Sequence, residues 1–76
     1  GLPRPERSLP AGLTPREAEV LIHLARGATN KEIAASLGIA VRTANHHIEN
    51  IYAKLDVTTR AAAAVFAVRH DLVAAE

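Results

Sequence analysis

The sequence predicts an all-α fold, a bundle of four helices. Apolar residues recur at offsets of three and four, the spacing of one helix face. Thr14 to Glu17 and Thr29 to Glu32 each read as a capping box, in which threonine and glutamate satisfy each other's backbone amides. Gly27 and Gly38 then stand where helices would stop. No window alternates with period two for long enough to demand a strand, and there is no internal repeat.

The first helix opens at Thr14, with Pro15 at the first helical position, where its missing N–H leaves nothing unpaired. Its expected core face is Ala18, Leu21, Ile22 and Ala25, and Gly27 ends it. Arg26 in the last turn favours the negative end of the dipole. The second helix opens at Thr29, carries Ile33, Ala34 and Leu37 on its core stripe, and ends at Gly38. At about two turns it needs tertiary packing to persist.

The third helix is expected from about Val41 to Leu55. Ala44, Ile48, Ile51 and Leu55 form a narrow stripe at 100° per residue. Arg42, His46, Glu49 and Ala53 face the other way. Asn45 and Tyr52 fall on one flank; Thr43, His47, Asn50 and Lys54 fall on the other. The fourth helix is expected from Thr58 or Thr59 to about His70. Ala61 to Ala64 give it propensity, and Val65, Phe66, Val68 and Leu72 give it apolar surface.

Composition narrows the function classes. A chain of 76 residues allows one small domain with a modest core and no deep cleft. There is no enzyme motif and no paired acid and base, so a binding module is expected rather than an enzyme. Without cysteine there is no disulfide, thiol nucleophile or thiolate metal site. No apolar run approaches the roughly 20 residues of a membrane span, and Pro3, Pro5 and Pro10 break any signal peptide. A cytoplasmic location is the matching expectation. Residues 1–12 read as an interdomain linker or disordered tail, 13–73 as the domain, and 74–76 as a C-terminal tail. Starting at Gly1 with no methionine, the chain reads as a piece of a longer protein. The net charge of +1 is a weak cue for any polyanionic partner, so organisation must carry the argument.

The second and third helices, joined by a tight turn at Gly38, have the arrangement of a helix-turn-helix. In that arrangement the second helix of the pair enters the major groove. Ala34 and Ala35 are small enough to let the two helices approach closely.

Several stretches then agree with one family at fixed spacing. They are Leu13-Thr14-Pro15-Arg16-Glu17, Val20-Leu21, Asn30-Lys31-Glu32-Ile33-Ala34, Leu37-Gly38-Ile39, Arg42-Thr43, and His47 through Leu55. On these, residues 13–72 resemble the LuxR/GerE-type DNA-binding domain. The resemblance implies a third helix that reads double-stranded DNA. It implies a fourth helix that supports a homodimer on two half-sites, here through Ala62, Val65, Phe66 and Arg69. It also implies a C-terminal effector domain in transcription regulation, governed by an upstream sensory or receiver domain in the same chain. Three positions depart from the pattern. Ala40 stands where a hydroxyl residue usually caps the third helix, Asp56 where glycine is usual, and Ala62 where an acidic residue is frequent.

Asn45, His46 and Glu49 match the family's base-reading positions. Asparagine can bond adenine through both amide atoms, and glutamate can accept from cytosine N4. A solvated polar face is the bland alternative. Glu49 could instead pair with His46. Lys31, Arg42, Thr43 and Lys54 are expected at phosphates, which position a protein without reading sequence. His47 is expected either at a phosphate or packed beside the apolar stripe, and Arg60 either at a phosphate or in an internal ion pair. His23 reads as a packing or surface residue, and His70 suits the end of the fourth helix. No metal is expected: His46 and His47 point about 100° apart. No cofactor and no small-molecule ligand are expected either. A different class, a protein–protein module docking through the fourth helix, rests mainly on the near-neutral charge.

Overall fold

In a computed structural model, residues 9–73 are described. Four helices follow one another: α1 (Pro15–Ala25), α2 (Asn30–Leu37), α3 (Val41–Leu55) and α4 (Arg60–Arg69). There is no strand among the described residues. A short 3-10 turn at Pro10–Gly12 precedes them.

The helix starts follow from their caps. Thr14 Oγ1 accepts from the Glu17 amide at 3.1 Å, and Glu17 Oε1 accepts from the Thr14 amide at 3.0 Å. Thr29 and Glu32 repeat the box at 3.1 and 2.8 Å. Thr59 caps α4 by accepting from the Ala62 amide at 3.0 Å, and alanine returns nothing. At the turns, Gly38 takes φ 68° and ψ 35°, and Asp56 holds the left-handed geometry with φ 59° and ψ 47°. Aspartate tolerates that region better than most residues, so the usual glycine is dispensable there.

Ala40 has the extended backbone of a helix cap (φ −71°, ψ 151°) but no side-chain bond to give. Ala40→Ser therefore fits without backbone change and should stabilise the fold by about 1 kcal/mol. The check is a urea unfolding curve; an unchanged or lower midpoint would contradict this account of the cap.

The core lies where α1 is enclosed by α3 and α4, with α2 laid against α3. All four residues of the expected α3 stripe, Ala44, Ile48, Ile51 and Leu55, are buried. The α1 face is rotated from expectation. Val20 and Leu24 are buried with Ala18 and Leu21, whereas Ile22 and Ala25 are only half-buried. Glu17, read from sequence only as the capping-box partner of Thr14, lies in the middle of the buried arc. The α4 face also differs. Ala63 and Ala67 are fully buried, Phe66 is half-buried, and Val65 and Val68 are 52% and 36% exposed. Small residues let α4 approach α1 more closely than valines would. In α2, Ala34 is buried but Ala35 is exposed, so Ala34 alone of the two serves a close approach.

Leu9 packs against the core, and the turn at Pro10–Gly12 lies beside α3. The rest of the expected linker (1–8) and the expected tail (74–76) lie outside the described residues.

Candidate nucleic-acid interface

The polar arc of α3 faces solvent. Val41, Arg42, Thr43, Asn45, His46 and Glu49 are exposed, and His47 is half-buried beside the apolar stripe. Lys31 is exposed in the first turn of α2. Among the described residues, Lys31, Arg42 and Glu49 have no ion pair, so Glu49 is not paired with His46.

The N-terminal ends of α2 and α4 meet the flank of α3 at one edge of this arc. Asn30 Nδ2 donates to Asn45 Oδ1 at 2.7 Å. Arg60 Nη2 donates to Asn30 Oδ1 at 2.6 Å, and Nη1 donates to the Ala28 carbonyl at 2.8 Å. Arg60 thus forms neither a carboxylate ion pair among the described residues nor an idle surface arm. Asn30 was not singled out by sequence reasoning. Its partners lie 15 and 30 residues away, and no local pattern joins them.

Lys54 departs from expectation. Its ammonium donates to Glu17 Oε1 at 2.7 Å and to the Gly12 carbonyl at 3.2 Å. The side chain of Glu17 is only 6% exposed and that of Lys54 is 34% exposed. The buried carboxylate holds this cation inward, tying the end of α3 to α1 and to the segment before it. Position on the helix flank suggests a phosphate contact; in the structure the ammonium is turned to Glu17 instead. At Glu17, burial pushes the carboxyl upward. The Lys54 ammonium and the Thr14 amide outweigh it and hold the group below its ordinary value.

On α4, Ala62 and Phe66 are half-buried while Val65 and Arg69 are exposed. His70 stacks on Phe66 with ring centroids 4.1 Å apart, and His23 is half-buried. Among the described residues, no group of three or more His, Cys, Asp or Glu could hold a metal ion. No described helix is long and apolar enough to cross a membrane.

Comparison with known proteins agrees with this geometry. Residues 11–67 match the family described as "Bacterial regulatory proteins, luxR family". The transcriptional regulatory protein LiaR of Bacillus subtilis (strain 168) is 51% identical over 69 residues, covering 90% of this chain and 33% of LiaR. The uncharacterized transcriptional regulatory protein YhcZ of the same strain is 47% identical over 68 residues, covering 90% of this chain and 32% of YhcZ. The response regulator protein VraR of Staphylococcus aureus (strain NCTC 8325 / PS 47) is 41% identical over 61 residues, covering 80% of this chain and 29% of VraR. The chain thus spans about a third of the length of these relatives. It belongs to the luxR family of bacterial regulatory proteins, as a DNA-binding transcription-regulator domain and not an enzyme.

Proposed function

We propose that this domain binds double-stranded DNA sequence-specifically with α3 in the major groove. Asn45, His46 and Glu49 face base edges. Lys31, Arg42, Thr43 and His47 face phosphates, and Lys54 stays in its internal pair. The observation that carries this reading is the solvent-facing arc of α3, rich in hydrogen-bonding groups and edged by Lys31 and Arg42 without ion-pair partners among the described residues. A free cation can replace counterions at a phosphate, whereas a cation committed to a buried carboxylate cannot.

The same reading makes the domain the effector of a longer cytoplasmic regulator, since the relatives are about three times its matched length. The likeness to a response regulator protein supports a receiver domain upstream. Two copies pair through α4, where Val65 and Val68 are exposed apolar residues beside Phe66 and Arg69. One domain with so few free cations grips a half-site weakly, and pairing on two half-sites recovers affinity.

The test is selection of bound duplexes from a random library, followed by titration at several salt concentrations. The expected result is an enriched sequence whose affinity falls by roughly 0.9 log units per phosphate contact for each decade of salt. Arg42→Ala should weaken enriched and random duplexes alike, while Asn45→Ala should erode preference at one base pair. Failure to enrich any sequence would overturn the reading.

A further inference from the structure

We propose that Arg60 and Asn30 are positioning residues, a one-way hydrogen-bond relay that holds the Asn45 amide with its NH2 group facing outward. The proposal rests on the reading above that Asn45 faces a base edge.

The polarity of the relay follows from chemistry. A guanidinium has donors and no acceptor. The Asn30 atom 2.6 Å from Arg60 Nη2 must therefore be the oxygen. That turns the Asn30 NH2 toward Asn45, 2.7 Å away, and the Asn45 atom receiving it must also be an oxygen. Amide orientation is ordinarily ambiguous, because its two ends look alike and either can be satisfied. Here Arg60 removes the ambiguity at both asparagines. Arg60 is itself held at the first position of α4 by its bond to the Ala28 carbonyl at 2.8 Å. With no carboxylate partner among the described residues, its charge strengthens the first link.

The result is an exposed Asn45 that offers donors to the groove while one side of its oxygen is occupied. Major-groove acceptors are guanine N7 and O6, adenine N7 and thymine O4, whereas cytosine offers the N4 donor. Asn45 should accordingly favour an acceptor-bearing edge, guanine above all, over cytosine. Its specificity is set in part by α2 and α4, which lie outside the reading helix.

The experiment is duplex selection with the whole chain and four variants: Asn45→Ala, Arg60→Met, Asn30→Asp and the double variant Asn45→Ala/Arg60→Met. Asn45→Ala identifies the base pair that Asn45 reads. Arg60→Met lets both amides rotate, so preference at that pair should fall about fivefold, the worth of one ordinary hydrogen bond. Other positions should be unchanged, and the double variant should lose no more than Asn45→Ala alone.

Asn30→Asp is the sharper arm. A carboxylate still accepts from Arg60 and suits the first turn of a helix, so the fold is kept even if Arg60→Met weakens it. It can only accept, however, and so must draw the Asn45 NH2 inward and turn Oδ1 outward. Preference at that pair should then move from an acceptor-bearing base to a donor, cytosine N4 or adenine N6.

If Asn45→Ala alters the selected sequence while Arg60→Met and Asn30→Asp leave that pair unchanged, the relay is wrong and the reading of Asn45 stands. If Arg60→Met instead weakens all duplexes equally and lowers the salt slope by about one, Arg60 grips a phosphate and the relay is again wrong. If Asn45→Ala changes nothing, Asn45 reads no base and both fall.

Discussion

Lys54→Met should destabilise the fold by about 2 kcal/mol at neutral pH, and by less as pH falls. Removing one partner of a fully buried pair costs roughly 3–5 kcal/mol, and the lower figure reflects the third of the Lys54 side chain that remains in water. In the parent chain Glu17 is held below its ordinary value. Its contribution is therefore fully present above the unfolded value of about 4.3 and is lost as pH falls through the lower folded value. Without Lys54 the lowering it supplied is lost, while burial still raises the Glu17 carboxyl and the Thr14 hydrogen bonds still lower it. The stability the pair adds at neutral pH is then missing from the variant, and acidification of the parent chain removes the same increment. Urea unfolding of both chains between pH 7 and pH 4 should show the gap narrowing as pH falls. Parallel curves would show that Glu17 and Lys54 are not coupled.

Ala67→Leu should destabilise by about 3 kcal/mol, at the upper end for overpacking. Ala67 is fully buried where α4 lies against α1, and the added carbons must push the helices apart or force strained rotamers. Val65→Ala, by contrast, should change stability by less than about 0.5 kcal/mol, because Val65 is 52% exposed. The larger apolar residue is thus the dispensable one. Thermal unfolding of the two variants checks this directly. Equal losses would mean that α4 presents its valines, not its alanines, to the core.

These two cases also mark where sequence reading succeeds and stops. The caps at Thr14 and Thr29 and the α3 stripe were legible because each is a local pattern set by backbone geometry. The bare cap at Ala40 and the left-handed turn at Asp56 were legible only through the family resemblance, as departures from its pattern. The α1 face was misplaced because a buried glutamate is stable only with a partner, and that partner lies 37 residues away. Hydrophobicity ranks Val65 and Val68 above Ala63 and Ala67, yet close helix packing selects for small size. Lys54 was assigned outward because its helix flank is polar, and nothing local reveals Glu17 beneath it. Asn30 is not singled out by sequence, and Arg60 is read there only as a phosphate or ion-pair candidate, because their meeting with Asn45 depends on how three helices converge.

In the proposed function the solvent face of α3, with the N-terminal end of α2, meets the DNA duplex. Amide chemical shifts recorded by NMR during titration with a selected duplex test it most directly. The largest changes should fall on Asn30, Lys31 and residues 41–50, and shrink as salt rises. Changes confined to residues 57–72, with α3 silent, would contradict it and mark α4 as the contact surface instead.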